Sequence, residues 1–454
     1  MIINFLDRFI YSPSGDGGMK YYSLNKISPS VSFEEATISG QAPDKGLYFP
    51  SSIPKLSKDF IIHIKSYSRE EIGFEVMKPF AGESIPDDVL QDIINETINF
   101  DFPLVNVNEN IYALELFHGP TLAFKDVGAR FMSRCLSYFN RDSDKHTTVL
   151  VATSGDTGGA VANGFLGVEG VDVIILYPSK KVSPVQELQL TTLGKNISAL
   201  EINGSFDDCQ AIVKHAFADA DLNKKFVFTS ANSINVARWL PQQLYYFYAY
   251  QQWQQEEPPV ISVPSGNFGN ICAGILAHVS GLPVKHFIAA CNANDVVPEF
   301  LHTGNYQPKN SIATISNAMD VGNPSNFIRI LELFHQQLDD LKSVLSSYST
   351  DDITTQQTIK EVYEKYNYVL DPHGAVGYHA LTRYLNEHNN APFGSEGGIF
   401  LETAHPVKFP ETVEAVTNSK IAIPGSVEYL FDQRKQSINM NASFDDFKEW
   451  MMKK

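Results

Sequence analysis

Two loops of the 454-residue chain have the composition of anion cradles. Thr148-Val149-Leu150-Val151-Ala152 enters Thr153-Ser154-Gly155-Asp156-Thr157-Gly158 and then Ala160-Val161-Ala162. Val260-Ile261-Ser262-Val263 likewise enters Ser265-Gly266-Asn267-Phe268-Gly269 and then Ile271-Cys272-Ala273. A strand that ends in a Gly-rich turn and opens a helix leaves N–H groups pointing outward, and the helix dipole adds partial positive charge there. Neither loop has the Gly-Lys-Ser/Thr ending of a Walker A loop or the G-x-G-x-x-G order of a dinucleotide site, which disfavours nucleotides. One such loop is adequately explained as a short strand-to-helix turn, whereas two in one chain point to a ligand.

A third candidate is Asn232-Ser233-Ile234-Asn235 followed by Arg238, which sets amide and hydroxyl groups about one helical turn from a guanidinium and suits a phosphate. The plain reading is an N-cap beside an exposed Arg. Within His118-Gly119-Pro120-Thr121-Leu122-Ala123-Phe124-Lys125-Asp126, Lys125 lies in an apolar context where a helix through Arg130, Phe131 and Met132 should begin. A desolvated lysine has a depressed pKa and acts as a nucleophile. The competing reading is a stem that packs while its ammonium reaches water, with Asp126 a first-turn acid.

These groups need a scaffold. Short β-branched runs at Thr147–Ala152, Val171–Leu176, Val260–Val263 and His286–Ala290 alternate with helix-length amphipathic stretches, which predicts an α/β protein with mostly parallel sheets. Ser205 and Asp208 have capping-box spacing and predict a helix over Phe206–Ala218. Leu240, Leu244, Phe247 and Tyr248, widened by Tyr245, Tyr246, Tyr250 and Trp253, read as a core-facing stripe. The segment 19–101 reads as a mainly helical N-terminal domain, 102–425 as a catalytic region of two α/β subdomains, and 426–454 as a C-terminal segment. Residues 1–18 read as an extension or linker, from an upstream start choice or an expression remnant.

Composition narrows the function. At 43% hydrophobic content the chain can bury large cores, which excludes intrinsic disorder, and a net charge of −17 without a basic patch argues against nucleic acid. No signal peptide or membrane helix is visible. Cys135, Cys209, Cys272 and Cys291 lack zinc-ligand spacing and read as free thiols of a cytoplasmic protein, and no metal site is expected.

The phrases His118–Asp126, Thr153–Gly158, Ser265–Gly269 and Leu401-Glu402-Thr403-Ala404-His405-Pro406, in this order, closely resemble the threonine synthase family in its bacterial and fungal branch. Ser316–Pro324 fits as well, and the likeness runs from Met19 through the C-terminal region. It implies a lyase of the tryptophan synthase β-like fold (fold type II) that uses pyridoxal 5'-phosphate to turn O-phospho-L-homoserine and water into L-threonine and phosphate. Lys125 would carry the Schiff base and move protons, and Gly266, Asn267, Phe268, Gly269 and Asn270 would hold the cofactor phosphate. Thr403 would meet the pyridine nitrogen. Asp156 stands where related enzymes often have an Asn that contacts the cofactor's 3'-oxygen. Thr153, Ser154, Gly155 and Thr157 would receive the substrate carboxylate, and Asn232, Ser233 and Arg238 its phosphate. The family also implies a monomer. The alternatives are a threonine or serine dehydratase of the same cofactor class, which the His118–Lys125 phrase and the phosphate-type Asn232…Arg238 set disfavour, or a non-catalytic binder on the same fold.

Overall fold

The computed structural model describes residues 18–141, 146–388 and 397–454, so the extension expected at 1–18 lies, apart from Gly18, outside the described residues. Two parallel sheets carry the molecule. The larger has the strand order Leu345–Ser349, His286–Cys291, Val260–Pro264, Gly398–Glu402, Ile111–Glu115, Leu104–Asn108, all parallel except the last, an antiparallel edge. The smaller is parallel throughout, in the order Ser437–Asn441, Ile197–Asn203, Val171–Pro178, Thr147–Ala152, Val227–Ser230. The chain leaves the larger sheet after Glu115, builds four strands of the smaller one, and returns at Val260.

The four β-branched runs are strands, because both faces are covered and near-continuous apolar sequence is what a doubly covered parallel sheet requires. The helix Phe206–Ala218 begins at the expected capping box, with Ser205 Oγ accepting from the Asp208 N–H. The aromatic segment departs from one amphipathic helix. Pro241 tightens Leu240–Gln242 into a 3₁₀ turn between Val236–Trp239 and Gln243–Gln252. Tyr245, Tyr246 and Tyr248 are all buried, so this helix is enclosed on every side.

Ahead of the sheets lie Phe33–Ser39, Lys58–Ile62, Arg69–Ala81 and Asp87–Thr97, helices accompanied by a two-stranded ribbon of Tyr21–Ser23 and Tyr48–Pro50. The strand Ser437–Asn441 in the C-terminal segment forms an edge of the smaller sheet, and Phe447 and Met451 of the last helix pack into that sheet's core with Leu150 and Ile174.

Candidate active site

The site segments all follow carboxyl ends of parallel strands, where helix N-termini converge: 116–124 after Glu115, 153–155 after Ala152, 231–235 after Ser230, 265–268 after Pro264, and Thr403 after Glu402. They surround a cleft of about 1710 Å³. Lys125, Thr153, Ser154, Asp156, Thr157, Asn232, Ser233, Arg238, Gly266, Asn267, Phe268, Gly269, Asn270 and Thr403 all line it, whereas Gly155 does not.

Lys125 opens the helix Lys125–Asn140. An antiparallel bridge between Ala123 and Ala404 fixes its approach, with Phe124 N–H donating to Thr403 O at 2.9 Å and His405 N–H to Leu122 O at 3.1 Å. Tyr245 donates its hydroxyl to Phe124 O. Asp126 folds back to accept from the Thr121 N–H at 2.9 Å and from the Thr121 hydroxyl, which closes the turn before the lysine. The lysine is thus held between two sheets. Burial lowers its pKa; Asp156 opposes this, and Lys408 and Arg238 add to it.

The Gly266–Asn270 loop is a converging set of donors. Phe268 adopts a left-handed φ of 61°, a conformation that costs a non-glycine residue about 1 kcal/mol and persists because its ring is wedged edge-on against Phe327. Gly266 is required by crowding, since a Cβ there would stand 2.6 Å from Met319 Cα. Among the described residues the N–H groups of Gly266, Asn267, Phe268, Gly269 and Asn270 find no protein acceptor. The first loop is used differently. Thr153 Oγ1 accepts from Gly155 N–H at 3.0 Å and Gly158 N–H at 2.9 Å, so its hydroxyl shapes the turn. Ser154, Asp156 and Thr157 keep N–H groups without protein acceptors.

Ser233 Oγ accepts from Asn267 Nδ2 at 2.8 Å and Asn326 Nδ2 at 3.0 Å, which joins the third element to the second. Arg238 is buried rather than exposed, as the N-cap reading would have it. Its Nη1 donates to Ala231 O at 2.7 Å, its Nε has no protein acceptor, and burial lowers its pKa to about 10.

Several groups at or beside the cleft are absent from the sequence reading. Lys408, fully buried, donates to Asp156 Oδ1 at 2.8 Å, and Gln186 Nε2 donates to the same oxygen at 2.9 Å. His373 lines the cleft, with Nδ1 2.6 Å from Asp371 Oδ1 and Nε2 accepting from the Ala318 N–H at 3.2 Å, which places its proton on Nδ1. The only sequence signal for Lys408 was its position two residues beyond the Leu401–Pro406 phrase. His118 and His405 do not line the cleft; His118 meets Glu115 at 2.7 Å and His405 Nδ1 accepts from Val407 N–H. All four cysteines are free and buried, and no group of three metal-ligating side chains occurs among the described residues.

Glu402 lies wholly buried beside Asp371. Burial, then the Asp371 charge, raises its pKa far above the carboxylate range, so it is neutral. The unfolded chain releases this proton near pH 4.3 while the folded chain keeps it, so stability falls as pH rises above that value. Glu402→Gln keeps the size of the neutral acid and removes the titration. Its melting temperature is expected to fall less steeply than wild type's from about pH 5 to about pH 9, and equal slopes would show that Glu402 does not titrate differently on folding.

The five unpaired N–H groups fit a phosphate, the adjoining buried amine fits an aldehyde, and Thr403, whose hydroxyl makes no hydrogen bond among the described residues, fits an uncharged ring nitrogen. Both fold and donors thus suit one cofactor, and the chain is a pyridoxal-phosphate-dependent enzyme of the tryptophan synthase β-like fold, fold type II. Residues 98–392 match the family described as pyridoxal-phosphate dependent enzyme, 20–98 the threonine synthase N terminus, and 374–451 the threonine synthase C-terminal region. The threonine synthase of Escherichia coli K12 is 45% identical over 96% of this chain and 99% of its own. Its crystal structure superposes with a TM-score of 0.87 at 44% identity, covering 96% of this chain and 99% of that one. A pyridoxal-phosphate-bound threonine synthase from Brucella melitensis gives a TM-score of 0.89 at 34% identity over 96% and 99% of the two chains. The chain belongs to the threonine synthase family.

Proposed function

We infer that the protein converts O-phospho-L-homoserine and water into L-threonine and phosphate, with pyridoxal phosphate held by Lys125. The observation that carries this reading is the convergence of three anion-binding elements on one cleft lysine, against three anions in the reaction. Gly266–Asn270 is assigned to the cofactor phosphate, the N–H groups of Ser154, Asp156 and Thr157 to the substrate carboxylate, and Asn232, Ser233 and Arg238 to the substrate phosphate. These fixed dipoles and one guanidinium outweigh the remote net charge of −17 at close range.

When bound, the cofactor supplies a conjugated electron sink. The chain supplies the rest. Lys125 Nζ takes and returns the protons at Cα and Cβ, a task suited to an amine whose burial lowers its proton affinity toward neutral pH. Thr403, lacking a charge, leaves the ring nitrogen unprotonated. Arg238 orients the leaving phosphate. The family resemblance favours a monomer, and four free thiols accord with the cytoplasm. No described helix is long and apolar enough to cross a membrane.

Pyridoxal-phosphate-loaded protein given O-phospho-L-homoserine should release threonine and inorganic phosphate in equal amounts; ammonia and a keto acid would mean a dehydratase, and no product would reject the reading. Arg238→Ala is expected to raise KM about ten- to a hundredfold, the worth of a charge-assisted hydrogen bond, with cofactor absorbance intact. An unchanged KM would remove Arg238 from the phosphate site.

A further inference from the structure

Lys408 is a second lysine in the catalytic region, and it sits where a charge is costly. Its side chain is 0% exposed, and an ammonium taken out of water without a partner is heavily penalised. The backbone delivers it deliberately: Pro406–Lys408 is a single 3₁₀ turn with proline at its first position, started by His405 Nδ1 accepting from the Val407 N–H at 3.1 Å. The carboxylate it meets is that of Asp156, at 2.8 Å.

Asp156 divides its two oxygens. Oδ1 is saturated by Lys408 Nζ and by Gln186 Nε2 at 2.9 Å, while Oδ2 stands 3.8 Å from Lys125 Nζ, beyond hydrogen-bonding reach. We propose that Lys408 is a positioning residue, the dedicated counter-ion of Asp156, which by neutralising that carboxylate leaves Lys125 free to exist as the unprotonated amine that captures the cofactor. The charge count makes the argument. Asp156 and Lys408 cancel, so the trio is neutral when Lys125 is an amine and carries one positive charge when it is an ammonium. Without Lys408, the same carboxylate would pair with Lys125 and hold its proton.

Other charged and titratable groups face the trio. Arg238 bears on Lys125 in the same direction as Lys408, and Asp371 opposes both. Asp126 also feels Lys408, but burial raises its pKa and it is tied to Thr121. His405 is held neutral by burial, its pKa lowered to about 4. Asp156 remains ionised: burial opposes this, but the Lys408 and Lys125 charges and two hydrogen bonds hold its pKa below the carboxylate range.

The proposal rests on Lys125 as the cofactor's anchor, and its test separates the two. The full-length protein is stripped of cofactor, and the rate of pyridoxal phosphate capture is followed by absorbance across a pH series. K408Q, which keeps a donor to Asp156, is expected to move the rate profile up by about one pH unit, or about tenfold slower capture below the midpoint. D156N is expected to move it down, and K408R to stay near wild type. A structural role alone would slow capture equally at every pH. Should K408Q not fold, the D156N/K408M pair buries no unpaired ion, and its profile should lie above that of D156N. Profiles of K408Q or of the double variant that do not move overturn the role of Lys408, whereas a wild-type chain that captures no pyridoxal phosphate overturns the anchor and this proposal together.

Discussion

Lys125→Ala is expected to lower kcat/KM by about ten-thousandfold or more and to abolish the visible absorbance of added pyridoxal phosphate, with the melting temperature little changed. The size follows from two duties lost at once, the covalent hold on the cofactor and the proton transfers at Cα and Cβ. Stability should be spared, because the ammonium is not an indispensable partner in the fold. It lies 3.8 Å from Asp156, whose closer contacts are Lys408 and Gln186, and it rests over the Phe124 ring at 4.6 Å from the centroid. Removal of the stem leaves space that opens to the cleft, so the cavity term is small. Circular dichroism melting, cofactor absorbance and threonine release distinguish the outcomes. Normal turnover by the folded variant would remove the entire scheme, including the role inferred for Lys408.

Arg329→Ala is expected to be the most destabilising single change in the site region, by about 3–5 kcal/mol, and to weaken cofactor retention together with stability. This buried guanidinium donates to Tyr48 O at 3.0 Å, Ile234 O at 2.7 Å, Ser233 O at 3.1 Å and Asn326 Oδ1 at 2.6 Å. It also lies 4.3 Å over the Trp239 ring. Asn326 in turn donates to Ser233 Oγ and to Asn267 O, so a single side chain ties the N-terminal ribbon, the Asn232–Asn235 turn and the Gly266–Asn270 loop together. Alanine removes the donor from three carbonyls, that of Tyr48 in a buried bond, and leaves a guanidinium-sized hole. Lysine should rescue poorly, because a point charge cannot serve four acceptors spread around a planar fork. Denaturant unfolding checks the first effect and cofactor dissociation on dilution the second; a loss under about 1 kcal/mol would show that the three elements are joined mainly by their apolar contacts.

Much of the fold was legible because it depends on local rules. The strand Thr147–Ala152 and the helix Phe206–Ala218 coincide with the boundaries read from β-branched runs and a capping box, both encoded within a few residues. The edge strand Ser437–Asn441 was not legible, since Ser437-Ile438-Asn439-Met440-Asn441 carries little apolar signal and pairs only because Ile197–Asn203 lies open beside it. The aromatic segment Leu240–Trp253 was read as a stripe because its neighbours, not its own pattern, bury the remaining face.

The two glycine loops, the lysine at a helix start and the Asn232–Arg238 set were readable in the chain alone, since strand-turn-helix junctions and apolar context are written in consecutive residues. It took the folded chain to bury Arg238, to spend the Thr153 hydroxyl inside its own loop, and to bring Lys408 to Asp156 across 252 positions of chain. The physical reason is that a charge's behaviour depends on its desolvation and on the charges around it, and both are set by which distant segments fold against it.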